Sequence, residues 1–247
     1  QNRTPRQLRG TRGGPVDSPP ASRTLGHVPR WRLAIVSDAL SESVAAPDPA
    51  PWLRRLLLVL TAGLTLGGGL RLAGLPQQEL VSNVIVDDAF YYLVPARHLL
   101  DGSGYSFDGE RPTNGVQPLW AVVTIAIAGL IDEPVFAARA MVLLSGVLWI
   151  AAGLALYAAL RGFDRWMATL AACGWFAAAL VNRVAFMGME NGLHGLLLAL
   201  ILLIGVARVA HAPPPRAGSR GFYLALGTLL GLFALARIDS ALLAPLV

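Results

Sequence analysis

Lysine is absent from this chain: all 20 basic residues are arginine. That pattern fits a GC-rich genome in which most of these positions need only positive charge. Cysteine occurs once, as Cys173 inside an apolar stretch, so no intramolecular disulfide can form and thiolate metal binding is disfavoured. Charge of either sign is scarce, at 14% of residues, where a soluble domain carries about 25%. No basic patch alternates with aromatics, which argues against nucleic acid as a partner. The sequence also lacks a nucleotide-binding glycine loop, a Ser/His/Asp arrangement, zinc-ligand spacing and an internal repeat.

What the chain has is apolar sequence in long blocks. Of 247 residues, 55% are hydrophobic, and the mean hydropathy is +0.56. These blocks predict an all-α, polytopic transmembrane protein. The net charge of +5 is concentrated in the first 55 residues and in two short loops, which reads as a topology signal. Residues 1–50, rich in Arg and Pro, predict a disordered cytoplasmic arm without the pattern of a signal peptide. The chain starts at Gln1 without Met and ends within a new apolar run at Ala244-Pro245-Leu246-Val247, so it is expected to be part of a longer protein.

Residues 51–247 predict a membrane domain. A first span over 52–75 leads to an outer loop at 76–135. Within that loop, 88–101 predicts an amphipathic helix on the membrane surface, kinked at Pro95 and capped by Asp87 or Asp88. Its apolar face is expected to hold Phe90, Leu93, Val94 and Leu100, with Tyr92 and Pro95 nearer the polar face. Residues 119–131 form an apolar run too short to span comfortably, and charge balance makes it re-entrant. Further spans are expected at 136–160, 166–186, 193–209 and 222–236, with a last one beginning at Ala241. A tight outer turn at 188–191 and a cytoplasmic linker at 211–221 connect them. This topology places Asp87, Asp88, Glu190 and Asp239 on the outer side.

Asp87 and Asp88 are the leading catalytic candidates. Paired carboxylates above a membrane can serve as a general base or hold a divalent cation; a helix cap beside a solvated neighbour is the structural alternative. Tyr91 and Tyr92 suit a sugar, a lipid headgroup or an interfacial aromatic belt. Arg97, Asn114 and Gln117, in the same polar stretch, are further substrate-binding candidates. Glu190 is an acid close to hydrocarbon and needs water, a cation or a partner there. Arg139, Arg183 and Arg237 either snorkel to the interface or bind a lipid phosphate through the guanidinium fork.

Three ordered motifs are similar to a known family. Asp87-Asp88-Ala89-Phe90-Tyr91-Tyr92, with Gly102-Ser103-Gly104 and Pro112-Thr113-Asn114-Gly115-Val116-Gln117-Pro118-Leu119-Trp120, resembles the first outer loop of GT-C fold glycosyltransferases. Gly188-Met189-Glu190 and Leu235-Ala236-Arg237-Ile238-Asp239 resemble later motifs of bacterial members related to family 39 and of mycobacterial arabinofuranosyltransferases. The resemblance covers residues 52–247. It implies an enzyme of the bacterial plasma membrane, with a cytoplasmic N-terminus and an outer active site. Such an enzyme moves a sugar from a polyprenyl-phosphate donor to a glycan, glycolipid or protein acceptor with inversion. It implies Asp87 as the base with Asp88 beside it, Glu190 as a second acidic motif, and roles for Asn182-Arg183, Arg139 and Arg237. Ile238 stands where relatives often carry Pro. No cofactor is required by the resemblance; a divalent cation at Asp88 and Glu190 is allowed, since relatives differ. Relatives also have more spans and often a C-terminal outer domain, so a chain of this length can bind the lipid without turning it over. A flippase for a lipid-linked sugar is the alternative, and should show inverted repeats and mid-span charge. A non-catalytic scaffold would have no use for adjacent acids.

Overall fold

A computed structural model describes residues 50–211 and 220–239. The expected arm at 1–49, the linker at 212–219 and the span from Ala241 lie outside the described residues. Helices α1 (Pro51–Ala73), α2 (Gln77–Asn83), α3 (Asp87–Leu100), α4 (Pro118–Leu130) and α5 (Pro134–Leu160) come first. They are followed by α6 (Arg165–Asn182), a 3-10 turn (Val184–Phe186), α7 (Asn191–His211) and α8 (Arg220–Ala236). Among the described residues there is no strand, only an isolated bridge between Ser106 and Pro112.

Three helices are long and apolar enough to cross a membrane: α1, α5 and the Asn191–Arg208 part of α7. Length and composition thus mark a membrane protein, helical throughout its described residues apart from connecting loops. The two other expected spans fall outside that set: α8 has 17 residues, and α6 has 18, with Arg165 and Asn182 at its ends. The 13 residues of α4 rise about 20 Å, short of a hydrocarbon core of about 30 Å.

Local chemistry sets the helix starts. Pro51, Pro118 and Pro134 occupy first-turn positions, where the missing N–H costs nothing. The Glu133 carboxylate accepts from the Phe136 N–H at 2.7 Å, and Asp164 accepts from that of Met167 at 2.6 Å. α2, a seven-residue helix, interrupts what the sequence predicts as open loop.

α5 is the hub: α1, α6 and α7 all pack on it, α4 touches it, and α8 packs on α7 and α4. Several polar groups between these helices find internal partners, as an apolar solvent demands. The Thr65 hydroxyl reaches the carbonyls of Thr61 and Phe176 at 2.9 and 3.2 Å. Trp149 and Trp175 stack at 4.3 Å and each donates its indole N–H to the other's carbonyl at 2.9 Å. Gly69 permits close approach between α1 and the 3-10 turn; a Cβ there would lie 2.7 Å from the Phe186 ring.

Two expectations about α3 need correction. The capping position is Val86, and no side chain caps the helix; Asp87 and Asp88 are its first two residues, exposed to solvent. The buried face is Ala89, Tyr92, Leu93 and Ala96, with Pro95, because α3 packs against α4. Small residues at 89 and 96 permit that contact and carry Tyr92 and Pro95 inside with them, while Leu100 is exposed.

Candidate active site

Four separated segments meet at one turn, residues 188–191. Gly188 adopts φ +77°, and a Cβ on it would lie 3.3 Å from the Ala89 Cβ, so the start of α3 rests on this turn. Trp120, fully buried in the first turn of α4, donates its indole N–H to the Gly188 carbonyl at 3.1 Å. Ser145 of α5 donates to the Met189 carbonyl at 3.0 Å. Gln117 bridges the other pieces. Its backbone N–H donates to the Tyr92 hydroxyl at 3.2 Å, and its side-chain oxygen accepts from the Ile238 N–H at 2.8 Å. That bond holds Arg237 and Asp239 over Glu190. The Arg237 Nε lies 3.8 Å from Glu190 Oε1, and its Nη2 lies 3.2 Å from Asp239 Oδ2.

Glu190 is the buried acid of the group, 3% exposed. Its Oε2 has no hydrogen-bond partner among the described residues. Burial raises its pKa above the ordinary 4.5; its own backbone N–H and Arg237 pull it down, and Asp239 and Asp88 push it up. Tyr92 is pushed up to about 12, first by burial, against the opposing Gln117 bond, with the charges of Glu190 and Asp88 adding to the rise. Tyr92 is therefore a neutral phenol at any working pH and no base. Of the two expected acids, Asp88 is the one whose charge is felt by both Glu190 and Tyr92.

The site is recessed. Along α5, Arg139 bonds the Leu75 carbonyl, Ser145 bonds Met189, and Tyr157 meets Arg54. At 1.5 Å per residue, the Glu190 turn lies about 9 Å from the Arg139 level and about 18 Å from that of Tyr157. The turn therefore packs beside the middle of α5.

Glu190 carries a pH dependence with a definite sign. Its folded-state pKa is raised, so its contribution to stability is complete below the unfolded value of 4.5 and is lost as pH rises through the folded value. Unfolding in detergent at a series of pH values should show stability falling above pH 4.5. In Glu190→Gln, an uncharged mimic of the protonated acid, that slope should be absent.

Several expected ligands have structural work. Arg97 donates to the carbonyls of Ala128, at 2.9 Å, and of Ile131. It thereby ties the C-terminal ends of α3 and α4, about 16 Å along α4 from Gln117. Arg139 bonds the Leu75 carbonyl at 3.0 Å and sits 5.6 Å over the Phe136 ring, clamping the end of α1 to α5. Tyr91 is exposed and stacks on Phe107 at 4.7 Å. Asn114 is exposed beside Gly115, whose φ is +91°. That loop is organised by Asp108, which accepts from Ser106, Glu110 and Arg111; the Arg111 N–H foremost, then that of Glu110, bring its pKa down to about 2.

Arg183 closes α6 in the left-handed region, φ 54°, and is the one non-glycine residue with positive φ among the described residues. Its N–H bonds the Ala179 carbonyl and its own carbonyl accepts from Phe186, while its side chain is exposed. Glycine favours this position. Arg183→Gly is expected to raise unfolding free energy by about 0.5–1 kcal/mol, measured by denaturation in detergent. A concurrent loss of substrate binding would show that the guanidinium has a second role.

An apolar cavity of about 280 Å³ lies between α2, α3 and the start of α5, lined by Val81, Phe90, Val94, Arg97, His98 and Val135 among others. Among the described residues no group of three or more His, Cys, Asp or Glu can hold a metal ion. Asp88 and Glu190 supply two carboxylates at most. Trp120, Asp239 and the bridging role of Gln117 depend on contacts between distant segments. Their signal in the sequence is confined to their places in the Gln117-Pro118-Leu119-Trp120 and Arg237-Ile238-Asp239 motifs. These features define a helical membrane protein with a buried acid beside paired surface carboxylates. No protein-family model, curated protein or solved structure matches the chain.

Proposed function

We propose that this protein is a glycosyltransferase that moves a sugar from a polyprenyl-phosphate carrier to an acceptor hydroxyl on the outer side of a bacterial plasma membrane. The observation that carries this reading is the convergence of Asp88, Tyr92, Gln117, Glu190 and Arg237 on the 188–191 turn. It brings an exposed acid pair, a buried acid and a guanidinium to one place.

In this reading Asp87 accepts the proton of the acceptor hydroxyl as its oxygen attacks the anomeric carbon. The bond from that carbon to the carrier phosphate breaks, and its electron pair leaves with the phosphate. Arg237 offsets the charge of the departing group, and Glu190 sets the position of Arg237. Attack from the face opposite the leaving group inverts the anomeric centre. The apolar cavity accepts the first prenyl units, and the acceptor is a glycan, glycolipid or protein. Arg54, Arg55, Arg161 and Arg165 lie at the other end of α1 and α5, which supports an outward-facing acid site and a cytoplasmic N-terminus.

The test is sugar transfer from a panel of polyprenyl-phosphate sugars by the full-length protein in membranes. Transfer with an inverted anomeric configuration is the expected result. A buried acid recessed along α5 also suits a lipid-sugar flippase. Donor that crosses the bilayer with its sugar bond intact would replace transfer by transport, and neither binding nor transfer would end both readings.

A further inference from the structure

The end of the molecule opposite the acids contains a second cavity, of about 440 Å³. Four arginines line it: Arg54 and Arg55 from the start of α1, Arg161 from the end of α5, and Arg165 from the start of α6. Leu58 and Tyr157 complete the wall. Arg54 donates to the Tyr157 hydroxyl at 3.2 Å, which leaves that hydroxyl's own proton to serve as a further donor.

Helix stability does not explain this cluster. Arg161 follows the last residue of α5, where a cation is favoured by the helix dipole. The other three lie at or next to the first turns of α1 and α6, the positive ends, where cations are disfavoured. Neither first turn carries an acid. Asp164 stands between Arg161 and Arg165 but uses its carboxylate to cap α6. Arg55, Arg161 and Arg165 are like charges around one cavity and call for an anion, and guanidinium groups match phosphate oxygens in geometry.

The surroundings are amphiphilic. Trp52 is 66% exposed, and Trp166 follows Arg165, as in the aromatic belt at a membrane interface. Beyond the arginines, Leu56, Val59 and Leu60 are exposed along α1, a surface for acyl chains. We infer that this cavity is a binding site for the phosphate headgroup of an anionic phospholipid in the leaflet opposite the proposed active site. The shared chemistry is a phosphate ester; the tryptophans and the apolar strip favour lipid over soluble phosphate. The inference rests on the membrane fold and not on sugar transfer.

The test uses the full chain in phosphatidylcholine nanodiscs with fluorescent phosphatidylglycerol as probe. Unlabelled phosphatidylglycerol should displace the probe and inorganic phosphate should not. Arg161→Gln with Arg165→Gln should weaken binding by about fivefold per arginine, while the charge-matched pair Arg71→Gln with Arg111→Gln should leave it unchanged. Equal loss in both pairs would show a general charge effect and overturn the site. Displacement by inorganic phosphate at similar concentration would overturn the lipid assignment. If the double variant does not fold, wild-type unfolding decides: phosphatidylglycerol raises the midpoint if the site exists, and no rise above phosphatidylcholine alone overturns it.

Discussion

Asp87→Asn is expected to lower sugar transfer by about 10²–10⁴-fold, the usual worth of a positioned general base, with little change in stability. The geometry makes the experiment clean. Asp87 is exposed and makes no cap hydrogen bond at the start of α3. What the fold loses is a first-turn carboxylate, about 0.3–1 kcal/mol of dipole interaction. Transfer kinetics and detergent unfolding, measured on the same preparation, separate chemistry from folding. Asp88→Asn provides the contrast. Asp88 is the member of the pair whose charge reaches Glu190 and Tyr92, so its loss should also shift the pH profile of transfer. If Asp88→Asn proves the more damaging change and Asp87→Asn is silent, the base is Asp88. Equal transfer by both variants and the wild type would remove the pair from the chemistry.

Gly192→Ala should be the most destabilising single-methyl change near the site, costing about 3 kcal/mol or more. A Cβ on Gly192 would sit 2.3 Å from the Ser145 carbonyl oxygen, 3.1 Å from the Trp149 nitrogen and 3.2 Å from the Leu148 Cβ. Two of those atoms are backbone of α5 and the third is fixed to it, so none can rotate away and α5 and α7 must separate. Overpacking commonly costs about 1–3 kcal/mol when side chains can adjust; here they cannot. Since total stabilities are about 5–15 kcal/mol, the loss would be obvious in a denaturation curve. It would also displace Glu190, two residues upstream. Gly227 and Gly231 in α8 have nothing within 4 Å of an added Cβ. Alanine at either should be neutral or stabilising by up to about 1 kcal/mol, through helix propensity. Equal behaviour of Gly192→Ala and Gly227→Ala would overturn the close α5–α7 contact.

Composition and hydropathy by themselves determined that this is a helical membrane protein, because water excludes long apolar blocks whatever their partners. They also set the approximate helix bounds: α5 was expected from 136 and begins at Pro134, where Glu133 caps it. The residues worth watching were legible too, because acids and arginines next to hydrocarbon are costly and few. Their roles were decided by tertiary structure. Arg97 and Arg139 look like substrate ligands in the sequence, yet each spends hydrogen bonds on carbonyls at the ends of helices far away in the chain. Tyr92 looks like an exposed aromatic and is buried by α4. Glu190 reads in the sequence as an acid near hydrocarbon in need of a partner; its turn packs beside the middle of α5, because Gly188, Gly192 and Ser145 draw it against that helix. Periodicity and charge act along the chain and can be read from it. Desolvation and carbonyl pairing arise between segments up to 121 residues apart, as in the Ile238–Gln117 bond, and exist only once the helices have packed.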